Sequence, residues 1–430
     1  VARLVGIGAV WFGCALAWVI LGSTLIARSG ESSAALSPEV HQLWGPPVEQ
    51  VQPTASYATT RMVRSTRTVH DEQGNARVET TAEEERVDHP VPLVASDLQA
   101  ELDLEHRQRG LVWFPTFEVR FQGRYTFENP DAEARDVTFV FPLQSENTIY
   151  DAFRVTDAEG REVPVRIEGT ASWVARVEPG QRAMFDVRYR TRGTGTWHYR
   201  MAYGTARITD FRLAVTTNFD EVDFPAGTLS PSSHGPHEGG WRGTWQFDSL
   251  IANQPIGVEP PARINPGPLA ARITFFAPVG LLFFFFVVAV LAVSQRRDLH
   301  PMHFFFFGCA FFAFHLSFAY LVDHLSIGVS FAISTAVSTL LIVTYARLFV
   351  GWRFALREMG IAQLLYLVLF SATFLWEGFT GLAITVGAII TLFVMMQITG
   401  RIAWGKKPEP TAAPPPPAPA GASAPAPTVF

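Results

Sequence analysis

Cysteine is almost missing: the 430 residues contain two, Cys14 and Cys309, both inside apolar runs. That excludes a disulfide framework and a thiolate metal site. Lysine is confined to Lys406 and Lys407, a bias of composition toward arginine and not a sign of chemistry. Acidic residues almost vanish over 273–404, where only Asp298, Asp323, Glu358 and Glu377 occur. A single soluble domain cannot be built from such a chain. The net charge of −5, with no basic stripe, gives no reason to expect a nucleic-acid partner. HExxH, GxxxxGKS/T and GxSxG are also lacking, so neither a catalytic residue nor a cofactor site is expected, and the reading is not that of an enzyme.

What is present is a set of long uncharged runs. A bilayer core of roughly 30 Å needs about 20 consecutive apolar residues in a helix. Runs of that kind cover 4–27, 273–293, 302–322, 325–346, 359–376 and 379–400, which predicts six transmembrane helices. The first is long for a signal peptide, and Leu25-Ile26-Ala27 makes a poor cleavage site, so an uncleaved anchor is expected. Arg296, Arg297, Arg347, Arg353, Arg357, Arg401, Lys406 and Lys407 fall in one set of loops. Asp323, His324 and Glu377 fall in the other. Positive residues stay in the cytoplasm. Both termini are therefore expected there, with the large region between the first two spans outside, in the periplasm of a bacterium. The expected domains are an anchor helix at 1–28, a periplasmic β-rich domain at 29–270, a five-helix bundle at 271–404 and a disordered Pro/Ala-rich cytoplasmic tail at 405–430.

Between 56 and 250 the residues alternate with a period of two. Phe117-Glu118-Val119-Arg120-Phe121 and Val137-Thr138-Phe139-Val140-Phe141 are examples. Asn129-Pro130-Asp131, Glu159-Gly160, Pro179-Gly180 and Gln73-Gly74-Asn75 read as turns. Short antiparallel strands packed as an all-β sandwich are expected. The glycines from Gly227 to Gly243 read as a loop, in which His234, His237 and Glu238 could meet a metal or, more simply, cluster by chance.

In the bundle, Phe304, Phe307, Phe311, Phe314 and Phe318 share one helix face and read as a packing stripe. His315 points off it. An ionisable group at that depth is a functional candidate, expected to meet a Ser or Thr of the fourth span. Ser330, Ser334 and Ser338 form a small-residue stripe on that span, and Ala383, Gly387 and Thr391 another on the sixth. Each reads first as a seam between helices and second as the wall of a wet cavity. His300 opens the third span beside Pro301. Asp323, His324 and Glu377 lie together at the opposite membrane face, where they could form a collar that docks the soluble domain or binds protons.

Leu43-Trp44-Gly45-Pro46, the stretch 98–127, Leu299-His300-Pro301 and Asp323-His324 together resemble the CreD family of bacterial inner membrane proteins, described as envelope-integrity proteins linked to colicin tolerance. Leu43-Trp44-Gly45-Pro46 is similar to its WG stretch, and 98–127 to its run of Glu, spaced Arg, Arg-Gly and an aromatic-Pro turn. Leu299-His300-Pro301, Asp323-His324, Glu377 and Arg401-Ile402-Ala403-Trp404 look like its membrane motifs, with Asp323 in place of a Glu and Ala403 in place of an acid. The stretch 129–157 looks more like a VIT-type sandwich repeat. The resemblance implies envelope maintenance and no established reaction. Membrane lipids, and an envelope protein bound through the periplasmic domain, are the partners expected; transport through the helices is the alternative.

Overall fold

The computed structural model describes residues 2–70, 76–144, 147–201, 208–295, 297–376 and 378–400. Glu377, the Gln73-Gly74-Asn75 turn and the C-terminal tail lie outside the described residues. The chain divides into two compact units, one made of Val1–Ser23 with Ala270–Phe430 and the other of Thr24–Leu269.

Among the described residues, the second unit has fifteen strands in three sheets. The three-stranded sheet orders β1 (Val48–Val51), β11 (Trp197–Arg200) and β15 (Ile256–Val258). The five-stranded sheet orders β3 (Ala76–Val91), β2 (Thr54–His70), β6 (Arg135–Pro142), β9 (Thr170–Val177) and β8 (Arg166–Ile167). The seven-stranded sheet orders β13 (Ser233–His237), β14 (Gly240–Leu250), β12 (Ile208–Thr217), β4 (Leu93–Arg109), β5 (Val112–Glu128), β10 (Arg182–Thr194) and β7 (Tyr150–Thr156).

Two features depart from the sequence reading. β2 to β5 each run 16 or 17 residues, far beyond short strands. The pairings β1 with β11 and β4 with β12 are parallel, which the long intervening chain permits.

Alternation explains the interior. Leu98, Ala100 and Leu102 on β4, Phe117, Val119 and Phe121 on β5, and Phe185, Val187 and Tyr189 on β10 are all buried on one face. Val137, Phe139 and Phe141 on β6 bury the facing side of the five-stranded sheet. Phe139 contacts Phe127 and Phe185 at centroid separations of 5.2 and 4.6 Å, joining the two sheets by their rings. The opposite face of the seven-stranded sheet is laced with exposed ion pairs such as Arg120 with Glu101 and Asp103. Such pairs add little stability and keep that face soluble.

The predicted turn at Asn129 is real and buried. Its Nδ2 donates to the Glu133 and Val177 carbonyls at 3.0 Å, while its Oδ1 accepts from the Asp131 amide at 3.0 Å. The expectation of a loop around Gly235 is corrected: β13 and β14 form a hairpin there. Its two-residue turn, Glu238-Gly239, has φ of +45° and +84°, the geometry a tight hairpin demands. The sequence hid the turn because glutamate, not asparagine or aspartate, precedes the glycine.

The first helix, α1 (Ala2–Trp44), also outruns its predicted end. Leu36 and Val40, one turn apart, pack on Val112 and Phe114 of β5, and Arg109 holds Glu39 at 3.0 Å. Gly45, at φ +94°, ends the helix, its amide donating to the His41 carbonyl.

His198 on β11 supplies a pH test. Burial holds its imidazole below the ordinary value of 6.5, aided by Arg200 and opposed by Glu49 and Glu259. The unfolded chain therefore binds more protons than the folded one just below pH 6.5. Stability from this residue is complete above that pH and is lost as pH falls. The melting temperature of the β-rich unit is expected to drop between pH 7.5 and 5. His198→Gln should flatten that slope, and an unchanged slope would refute the assignment.

The membrane unit contains α2 (Pro266–Ser294), which begins in the other unit's last residues, α3 (Pro301–Leu321), α4 (Ile327–Val350), the fifth span α5 (Trp352–Leu375) and α6 (Thr380–Thr399). With α1, six helices among the described residues are long and apolar enough to cross a membrane. Within α5, Ala355–Met359 and Leu364–Leu369 take the wider π form on either side of Gly360–Gln363.

Candidate functional site

The phenylalanine stripe of α3 is fully buried. Phe304 meets Phe285 at 5.1 Å and Phe311 meets Phe284 at 4.7 Å, both on α2, while Phe314 meets Phe331 of α4 at 5.3 Å. It fills the contacts between three helices, as read from its spacing.

His300 caps α3: its Nδ1 accepts from the Met302 amide at 3.2 Å, and Pro301 occupies the first turn. His303 stacks on Phe349 at 4.0 Å, with Nδ1 and the Tyr345 hydroxyl 3.0 Å apart. The two histidines thus serve the helix start separately. Arg3 pairs with Asp298, which brings the beginning of α1 to the connection between α2 and α3.

His315 is buried, with 1% exposure. Its Nδ1–H donates to the Phe311 carbonyl at 2.9 Å, one turn back on the same helix. A partner from the fourth span was expected, and that expectation is corrected. The own-helix carbonyl is the acceptor in reach, and Nε2 has no hydrogen-bond partner among the described residues. The ring lies edge-on to Trp18 of α1, 5.6 Å between centroids, and the Trp18 Nε1–H is likewise unpartnered among the described residues. A donor and an acceptor are thus buried side by side at the contact of α1 with α3.

Asp323 and His324 occupy the turn between α3 and α4, where the His324 amide donates to the Leu321 carbonyl at 2.9 Å. No side chain caps α4 at Ser326. Because Glu377 lies outside the described residues, the three-member collar cannot be assembled from these positions. His234, His237 and Glu238 do not converge either. His234 and His237 sit three apart on β13, hence on opposite faces, and Glu238 is in the turn. Among the described residues no three His, Cys, Asp or Glu side chains are placed to hold a metal.

The serine stripe of α4 faces inward: Ser330, Ser334 and Ser338 are each 0% exposed. Ser338 Oγ donates to the Ala310 carbonyl of α3 at 2.6 Å and accepts from Gln363 Nε2 of α5 at 2.7 Å. Gln363 escaped the sequence reading. The one signal was a lone amide in an otherwise apolar span. The stripe on α6 borders a cavity of about 280 Å³ shared with Phe283 and α5, where the Tyr366 hydroxyl meets Thr391 Oγ1 at 2.9 Å. A second cavity, of about 530 Å³, separates α1 from α3 and is lined by Cys14 and Cys309.

Residues 251–405 match the family described as Inner membrane protein CreD. Over that region the chain is similar to CreD proteins. The match covers well under half of the sequence, takes in His300, His315, Asp323, His324 and Gln363, and bears out the resemblance for that region. No curated protein is detectably similar to the chain. Among solved structures, a Legionella pneumophila protein provisionally described as nutrient binding is 11% identical, with a TM-score of 0.33. The likeness covers 59% of this chain and 80% of that one, too distant to establish a shared fold. The CreD match and the six long apolar helices among the described residues agree on a membrane protein.

Proposed function

We propose that this protein is a non-enzymatic inner-membrane component that maintains the cell envelope. Its β-rich unit would lie in the periplasm, form a sandwich from the five- and seven-stranded sheets, and bind or scaffold envelope components. The CreD match over 251–405 is the observation that carries the reading. The rings shared between those two sheets support the sandwich. The orientation draws on Arg297, Arg347, Arg353 and Arg357, retained on the cytoplasmic side. The Arg3–Asp298 pair supports it further, since it ties the beginning of α1 to the same end of the bundle as Arg297.

The test is crosslinking of the full chain in native membranes, with the crosslinked sites identified. A stoichiometric envelope partner attached within 24–269 is expected, and His315→Phe should still complement an envelope-sensitivity phenotype of the deletion strain. A substrate-dependent flux in liposomes, abolished by His315→Phe in protein that remains folded, would replace scaffolding with transport.

A further inference from the structure

The junction of α3, α4 and α5 contains more polar atoms than it satisfies. Ser338 Oγ has one proton, and it goes to the Ala310 carbonyl at 2.6 Å. The Gln363 group 2.7 Å away must then be the donor, which fixes the amide orientation from the network itself. Gln363 Oε1 is left facing elsewhere in the interior. It has no partner among the described residues, although Gln363 is 0% exposed. One turn along the same face of α4, Ser334 Oγ is equally buried and equally unpartnered. Thr335 Oγ1 and Thr339 Oγ1, on the adjoining face, repeat the pattern.

Hydrocarbon offers no alternative partner, so each such group is costly if left dry. Gln363 is also flanked by the two π segments, a form frequent at functional sites. We propose that this seam binds a small neutral hydrogen-bond donor, water, held between Gln363 Oε1 and the Ser334 hydroxyl. A buried water makes two to four hydrogen bonds, enough to serve both groups. Neutrality follows from the lining. Ser334, Ser338 and Gln363 bear no charge themselves, and an uncompensated charge at this depth is costly. The bundle interior is then hydrated at its three-helix junction, a property independent of the scaffold reading.

The test is water-edited solid-state NMR on the full chain in lipid bilayers, with glutamine labelled by ¹⁵N and Gln363 assigned through Gln363→Met. Magnetisation is expected to pass from water to the Gln363 amide protons, and Ser334→Val should reduce that transfer several-fold. In thermal melts, Ser334→Ala should lower the melting temperature in the wild-type background and leave it unchanged beside Gln363→Met. A Gln363 amide reached only from lipid acyl protons would overturn the proposal. So would a rise in melting temperature on Ser334→Ala, the result a dry, unsatisfied hydroxyl gives. If a variant fails to fold, the wild-type transfer alone decides.

Discussion

Replacing Phe139 with alanine is expected to destabilise the β-rich unit by about 3–5 kcal/mol, the range for deleting a fully buried aromatic ring. Phe139 is 1% exposed, and its ring touches Phe127, Trp173 and Phe185 at 5.2, 5.8 and 4.6 Å. These neighbours belong to two sheets, so the cavity cannot be closed by one side chain moving. Each sheet is held rigid by its own hydrogen-bond ladder, and relaxation would have to shift a whole sheet. Thermal unfolding of the full chain, followed by tryptophan fluorescence, should show the transition of the β-rich unit fall by roughly 10 °C. The apolar membrane helices should keep their helical signal at that temperature. A change of less than about 1 kcal/mol would mean that the two sheets are not packed through this residue.

The second large effect concerns Gly45→Ala. Gly45 has φ +94°, a conformation that a β-carbon makes costly, and an added methyl would run into the Arg192 carbonyl of β10. Neither strain can be relieved locally, since both neighbours are fixed. Trp44 lies under the Arg107 guanidinium at 3.5 Å and near that of Arg192 at 5.0 Å, and the Thr194 amide donates to the Pro46 carbonyl. A loss of about 2–3 kcal/mol is expected from backbone strain together with the displaced contact. It should appear as faster proteolytic cleavage near Trp44 than in the wild type. Equal cleavage and an equal melting temperature would show that Gly45 is interchangeable with alanine.

Much of this architecture was legible before any coordinate. Uncharged runs of about 20 residues identify membrane helices because a bilayer leaves a spanning segment few other ways to satisfy its backbone. Period-two alternation identifies strands for an equally local reason, and the α3 phenylalanines declare their shared face through spacing alone. The extension of α1 to Trp44 was visible in principle, in the Leu36 and Val40 pair, yet its polar surroundings resemble a linker. The β13–β14 hairpin was missed because glycine abundance is ambiguous: it serves loops and tight turns alike.

The candidate site divides along the same line. His315 stands out as an ionisable residue in an apolar run, and it is buried. Its hydrogen bond to Phe311 does not follow from the residue list, because a helix carbonyl one turn away is always in competition with a neighbouring helix. Gln363 gave almost no signal, since one amide in a long span is common.

Composition and periodicity by themselves determined the class of this protein: six helices long and apolar enough to cross a membrane among the described residues, and a large β-rich region between the first two. Those properties depend on the solvent each segment can tolerate, and every residue states its own preference. Tertiary structure alone decided which strands pair in parallel, that Ser338 joins α3 to α5, and which buried polar atoms have no partner among the described residues. These depend on distances between residues far apart in the chain, to which local preference is blind.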